Sequence, residues 1–348
     1  MGKSKVLKLF ACCVPVKGSA RSIIYDLQRR RYFIIPNALY DILQTEMGKT
    51  IDEIKGIYSA DEHEIFDRYL RFLIDNEIVF ECAEDYVHLF PSIDFSWESA
   101  FVLENFILDI DEFSNHDFAY IINELSDLNV RVLQLRLFSQ IAKKQLDQIL
   151  RQITGSNIRT VELVMPLSYL EFDSACFVEE FTKISNLIIY GAEEDVIHSH
   201  KQANIVYTKA IVRSEKDCGL VEQDLFSCNL KFFCEAQQFN TCLNRKLAID
   251  KHGEIRNCPA MKDSYGNIKS HSLRAVLKKM AELKTNWSIC KDKISVCKDC
   301  EYRYMCHDCR AFITNPSDKY SQPAKCDYNP YVAKWKGEKG FIPVEDMK

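Results

Sequence analysis

The chain has 348 residues, 47% hydrophobic and 27% charged, with a formal net charge of −5. That length suffices for two or three domains with a sizeable core, and the acidic balance argues against a nucleic-acid partner, which requires a basic face. No stretch reaches the ~18 apolar residues of a membrane-spanning helix, so no membrane partner is expected.

The opening "MGKSKVLKLFACCVPV" has the outline of a signal or lipidation segment. Lys8 breaks its apolar run, and Val6 stands where a myristoylation motif needs Ser or Thr, so the expectation is a cytoplasmic protein. "RSIIYDL" and "RYFII" predict two strands, and Arg29, Arg30 and Arg31 between them predict a solvated turn. "PNALYDIL" predicts a helix with Pro36 at its start, and "TIDEIKGIY" a second. A third helix is marked by Ser59 and Glu62 at capping-box spacing, with Ile65, Tyr69, Phe72 and Leu73 on one face. "EIVFE" and "YVHLF" predict a closing hairpin. Together these elements give residues 1–92 the outline of a small winged-helix domain.

From 93 to 225 the pattern alternates. "AFVLENFILDI", "RVLQLRLF", "TVELVMPL", "NLIIYG" and "ANIVYTKA" have strand length and composition. Helical spacing lies between the first four, in "NHDFAYIINEL", "AKKQLDQILRQI" and "SACFVEEFTKI". Alternation of this kind predicts parallel strands with crossover helices, an α/β arrangement. With about five strands visible, the expectation is a partial (β/α) barrel. Residues 226–348 form a cysteine-rich third region, ending in a surface tail from "NPYVAKW" onward.

Of fifteen cysteines, ten fall from Cys228 onward, and "CKDCEYRYMCHDC" at 297–309 holds four. In a reducing compartment such clustering points to metal ligation. "CLNRKLAIDKHGEIRNC" reads as a hairpin turning at Gly253, which brings Cys242 and Cys258 side by side. Three chemistries fit thiols so arranged. One is zinc, although a zinc ribbon separates its paired knuckles by ~15–20 residues where this chain has five. A second is iron–sulfur clusters. The third is buried free thiols, the expected fate of Cys82, Cys176 and Cys218.

The spacing from Cys242 through Cys258, Cys297, Cys300, Cys306 and Cys309 to Cys326, with the words "GEIRNCPAM" and "YGNI", resembles the seven-cysteine SPASM motif of radical S-adenosylmethionine peptide-modifying enzymes. The match departs in having two residues rather than three between Cys306 and Cys309. The resemblance implies two four-iron four-sulfur clusters. Cys242, Cys258 and Cys309, with Cys234 as nearest upstream candidate, would hold the first, and Cys297, Cys300, Cys306 and Cys326 the second. The C-x3-C-x2-C triad that binds the S-adenosylmethionine cluster is absent. The loop after "FILDI" reads "DEFSNHD" and has no cysteine; Asp109, Asp111, His116 and Asp117 could bind a metal, but polar loop residues are far more often solvated or capping. Motif present and triad absent together resemble the maturases of grasp-with-spasm systems. That resemblance implies a ribosomal precursor peptide and an ATP-grasp ligase as partners, and no cleavage of S-adenosylmethionine. It implies leader binding at an N-terminal strand edge, placed at residues 22–35. The remaining readings are a radical enzyme with unrecognised cluster ligands and a zinc-stabilised adaptor.

Overall fold

The computed structural model describes residues 4–170 and 172–347. Met1 to Lys3, with the Gly2 that a myristoylation site would use, lie outside that range.

The N-terminal region carries two small sheets. β1 (Lys5–Leu9) pairs antiparallel with β5 (Val79–Ala83), and β2 (Cys13–Lys17), β3 (Ser22–Asp26) and β4 (Arg31–Ile35) form an antiparallel meander. Both strands of the first pair are local elements that only a distant partner completes. The expected closing hairpin is accordingly replaced: "YVHLF" lies in a 3-10 turn at Glu84–Leu89, and the chain start supplies the partner strand. Every residue of β3 is buried. One face packs with α1 (Asn37–Thr45), α2 (Ile51–Lys55) and α3 (His63–Asp75), and the other packs on the cysteine-rich segment. The arginine turn is not merely solvated, because Arg29 and Arg31 both pair with the buried Asp26 carboxylate.

Helix starts follow local chemistry. Thr50 and Glu53 make a complete capping box for α2. Ser59 and Glu62 also bond, Ser59 donating from both its amide and Oγ to Glu62 Oε2, but they close the turn ahead of α3, which begins at His63. The buried residues of α3 are Phe66 and Leu73. Ile65, predicted on that face, is 42% exposed, because an α-helix drifts past a seven-residue repeat and eight residues before Leu73 lies on its flank.

The second region is as its periodicity predicts. β6 (Asn105–Ile110), β7 (Val132–Leu137), β8 (Thr160–Pro166), β9 (Ile184–Tyr190) and β11 (Ala203–Thr208) are parallel neighbours. α4 (Phe118–Asp127), α5 (Lys143–Thr154) and α6 (Ser174–Glu180) connect the first four of them. Asp117 caps α4, and Asp173 caps α6. β10 (Val196–His200) adds an antiparallel edge.

The predicted hairpin, β12 (Lys246–Ile249) and β13 (Ile255–Arg256), does not stay within the cysteine-rich region. β12 pairs parallel with β6, so the sheet runs β10-β11-β9-β8-β7-β6-β12-β13 and strand pairing crosses position 225. Gly253 turns at φ +87°, as the hairpin requires, and Asn267 of "YGNI" packs where a Cβ would be. The chain reaches β12 from α7 (Leu230–Gln238) and continues through α8 (Leu273–Leu277) and α9 (Met280–Trp287). The C-terminal segment is more than a surface tail. β14 (Tyr328–Asn329) and β15 (Lys334–Trp335) pair, and Trp335 packs on Tyr302 and Tyr328.

At the heart of the sheet, Arg136 on β7 donates twice to the Asp109 carboxylate on β6, at 2.6 and 2.7 Å. Burial pushes the Asp109 carboxyl up to about 6 against the opposing pull of Arg136. We take it as ionised, because two short guanidinium bonds hold it. A guanidinium cannot shed its proton when its partner is lost. Asp109→Leu will therefore lower stability by ~3–5 kcal/mol, whereas combining Asp109→Leu with Arg136→Met recovers most of it. Urea unfolding followed by far-UV circular dichroism measures both, and an Asp109→Leu midpoint equal to wild type would contradict the pairing.

Candidate metal centre

The dense stretch is held by its own turns and by the N-terminal sheet. Cys297–Asp299 form a 3-10 turn entered through Val296 at φ +68°, a conformation that costs a β-branched residue about 1–3 kcal/mol. The amide of Cys300 donates to the Cys297 carbonyl, and the amide of Cys306 donates to the Tyr302 carbonyl. From the other side, Arg21 on the β2–β3 turn donates to Glu301 at 2.7 Å and Tyr302 at 2.8 Å, and Tyr25 Oη donates to the Glu301 carbonyl at 2.7 Å.

Cys297, Cys300, Cys306 and Cys326 line one cavity. Burial pushes the Cys297 thiol up to about 12 and raises Cys300 and Cys306 as well. Lys291 projects into the same cavity, only 5% exposed, and its Nζ donates to Cys306 Sγ at 3.3 Å. Burial opposes the charge of Lys291, but Cys306, Cys297 and Asp308 outweigh it and hold the ammonium well above its ordinary range.

A second group forms at the base of the β12–β13 hairpin. Cys258 interacts electrostatically with Cys242 and Cys218, and Cys309 with the same two thiols. Burial raises Cys258 to about 12. The backbone amides of Ala311 and Phe312 favour the charged form of Cys309, and that of Ala260 the charged form of Cys258, against the upward push of burial. Lys246 Nζ donates to Cys242 Sγ at 3.3 Å. Gly219, at φ +87°, lies against Cys309: a Cβ there would come 2.8 Å from the sulfur, so only glycine lets this segment approach.

Cys234 lies buried on α7. Cys218, expected to be a buried free thiol, is exposed, and its neighbour Gly219 packs against Cys309. That adjacency makes Cys218 a second candidate for the hairpin group, one that sequence spacing alone does not weigh. Sequence reasoning also passed over Lys246 and Lys291, because a lysine next to a cysteine is unremarkable until the fold buries it.

The two groups share a polar link. Asp308, between Cys306 and Cys309, is buried and accepts from Arg310 Nη2 at 2.7 Å and from Asn240 Nδ2 at 2.5 Å. Asn240 in turn accepts from the Cys242 amide at 3.1 Å. His307 is pushed down to about 4, first by burial and then by Lys246 and Lys291.

A tetrahedral zinc with ~2.3 Å bonds gathers its sulfurs within about 3.8 Å of one another. Among the described residues, the group of three ligand atoms lying within 4.8 Å is Cys12, Cys13 and Asp26, not any trio from the two thiol groups. Thiols spread around a cavity suit ligation of separate irons in one cluster better than a single ion. Cys12, Cys13 and Asp26 do not make a convincing cation site, since Arg29 and Arg31 already occupy the carboxylate.

The loop 111–117 holds no cysteine and its polar groups are engaged. Asp111 accepts from the Phe113 amide and Ser114 Oγ, and lies 3.4 Å from Lys251. His116 Nε2 bonds the Asp109 carbonyl, and Asp117 caps α4.

No family model and no curated protein matches the chain. Among solved structures, it is similar to a crystal structure of Streptococcus suis SuiB bound to S-adenosylmethionine, at 11% identity and a TM-score of 0.31, over 92% of this chain and 99% of that one. A second crystal structure of Streptococcus suis SuiB gives 10%, 0.30 and the same coverage. A heterocyclase in complex with substrate and cofactor gives 16% identity and a TM-score of 0.18, over 45% of this chain and 23% of that one. At these scores the likenesses assign no activity. No described helix is long and apolar enough to cross a membrane.

Proposed function

We propose that this chain is an iron–sulfur component of a ribosomal-peptide maturation system, which binds a precursor peptide and presents it to an ATP-grasp ligase. The observation that carries the reading is the cavity lined by Cys297, Cys300, Cys306 and Cys326, joined through residues 306–309 to Cys309 and the Cys242–Cys258 hairpin, with a lysine donating to a sulfur on each side. Cys218, Cys242, Cys258 and Cys309 would hold one four-iron four-sulfur cluster, and Cys297, Cys300, Cys306 and Cys326 the other. Such clusters supply cross-linking and electron storage; the chain's own residues supply peptide binding. Of residues 22–35, β3 is internal, so the edge open to an added strand is β4. β2 offers the opposite edge but carries Pro15, which lacks a donor. On β4 itself Ile34 is 45% exposed, an apolar contact for a leader's side chains.

The test is titration of a labelled leader peptide into the full, cluster-loaded chain. Ile34→Glu will weaken binding about tenfold, or ~1.4 kcal/mol, with the melting temperature unchanged because the side chain is half exposed. Equal affinity in the variant would move the binding site elsewhere.

The same assignment closes both clusters. With Cys218 as fourth ligand, no iron is left open for the amino and carboxylate groups of S-adenosylmethionine. Dithionite-reduced protein given the cofactor will form no 5′-deoxyadenosine above the protein-free level. Formation that is lost on Cys242→Ala would restore the radical-enzyme reading.

A further inference from the structure

Among the described residues, each thiol group contains one lysine and no other nearby cation donating to sulfur. Lys246 has Cys242, Cys258 and Cys218 as its favourable electrostatic partners. Lys291 lies 3.9 Å from Asp308, but that carboxylate is already held by Arg310 at 2.7 Å and Asn240 at 2.5 Å, and the closer contact of Lys291 is the Cys306 sulfur at 3.3 Å. An ammonium held against thiols, buried at Lys291 and half-buried at Lys246, is not explained by packing, since desolvating it is costly unless a negative partner compensates. Neutral thiols do not compensate it; coordinating thiolates do.

We infer that Lys246 and Lys291 are built-in counter-charges, one per cluster, each donating to a coordinating sulfur and raising the reduction potential of the cluster it faces. The inference rests on the proposed function and adds a role for residues outside the ligand set. The sign follows from charge. Reduction adds one negative charge to an already anionic group, and a fixed cation 3.3 Å from one of its sulfurs stabilises the reduced form more than the oxidised one. Asp308 is a positioning residue: its bonds to Arg310 and Asn240 fix the backbone that carries Cys306 and Cys309 and set where Lys291 points.

The experiment is a dithionite titration of anaerobically reconstituted full-length protein, followed by electron paramagnetic resonance. Wild type will show two reduction midpoints. Lys246→Met will lower one and Lys291→Met the other, with iron content unchanged. Lys246→Gln and Lys291→Gln, which keep a donor but lose the charge, will shift the same midpoints by less. They also decide the matter if a methionine variant fails to fold. Iron-loaded variants with wild-type midpoints would overturn the inference while leaving the function intact. Loss of iron in both variants at one site would overturn it too, by making the lysine an assembly requirement. A wild type that takes up no iron would instead sink the function itself.

Discussion

Anaerobically purified protein will contain about eight iron and eight inorganic sulfide per chain, four of each for every group of four thiolates. The decisive comparison is between two single variants. Cys218→Ala will lower the iron content toward half, because it removes a ligand from the group around the hairpin. Cys234→Ala will keep the full content, since that thiol lies on α7 with Asp94 as its charged neighbour. The opposite pattern would reinstate Cys234. Stoichiometric zinc without iron would replace the whole reading by a zinc-stabilised adaptor, and would require the sulfurs to close from their present spread to about 3.8 Å. The Gly219 contact sharpens the test. Gly219→Val puts side-chain atoms on Cys309 at a backbone angle that β-branched residues avoid, so it too will lower iron content, without removing any ligand.

What could be read from the sequence was whatever depends on local period or local spacing. The strands and helices of residues 105–208 were legible because each apolar run carries its own repeat, and β12–β13 because Gly253 marks a turn between two apolar segments. What failed was pairing between distant segments. β1 looked like a targeting sequence because its partner β5 lies some seventy residues away, and β12 looked like part of a separate region because nothing in "LAID" names β6 as its neighbour. The site divided along the same line. Cys297, Cys300, Cys306 and Cys326, the four that the resemblance groups together, line one cavity. The fourth member of the hairpin group was the least legible, because Cys234 lies on α7 while Cys218 sits beside Gly219, which packs on Cys309, and spacing weighs only the first. Lys246 and Lys291 carry no motif at all; their meaning comes from burial.

Removing iron will unfold residues 288–327 and weaken leader binding together. This segment contains only 3-10 turns, one internal bridge and short loops, and its own apolar cluster is Ile289, Ile294 and Cys297. So small a core does not order a segment of that length, and metal–thiolate bonds then carry folding free energy. The sheet from β6 to β11 has a large core of its own and will survive. Cys300→Ala and Cys258→Ala, or chelation of the wild type, will raise amide exchange and proteolysis in 288–327 while leaving 105–208 protected. The consequence for function runs through the clamp. Glu301 and Tyr302 hold Arg21 and Tyr25, and Tyr302 packs with Val16, Ile23 and Tyr25 on the face of the sheet whose far edge is β4. Loosening that face removes the support that keeps β4 extended, so leader affinity will fall in the iron-free protein although no leader contact has been changed. Wild-type exchange in 288–327 after iron removal would show that packing alone orders the segment. Lost protection with unchanged leader affinity would show instead that α1, α2 and α3 suffice to hold β4, and that the clusters serve a step after binding.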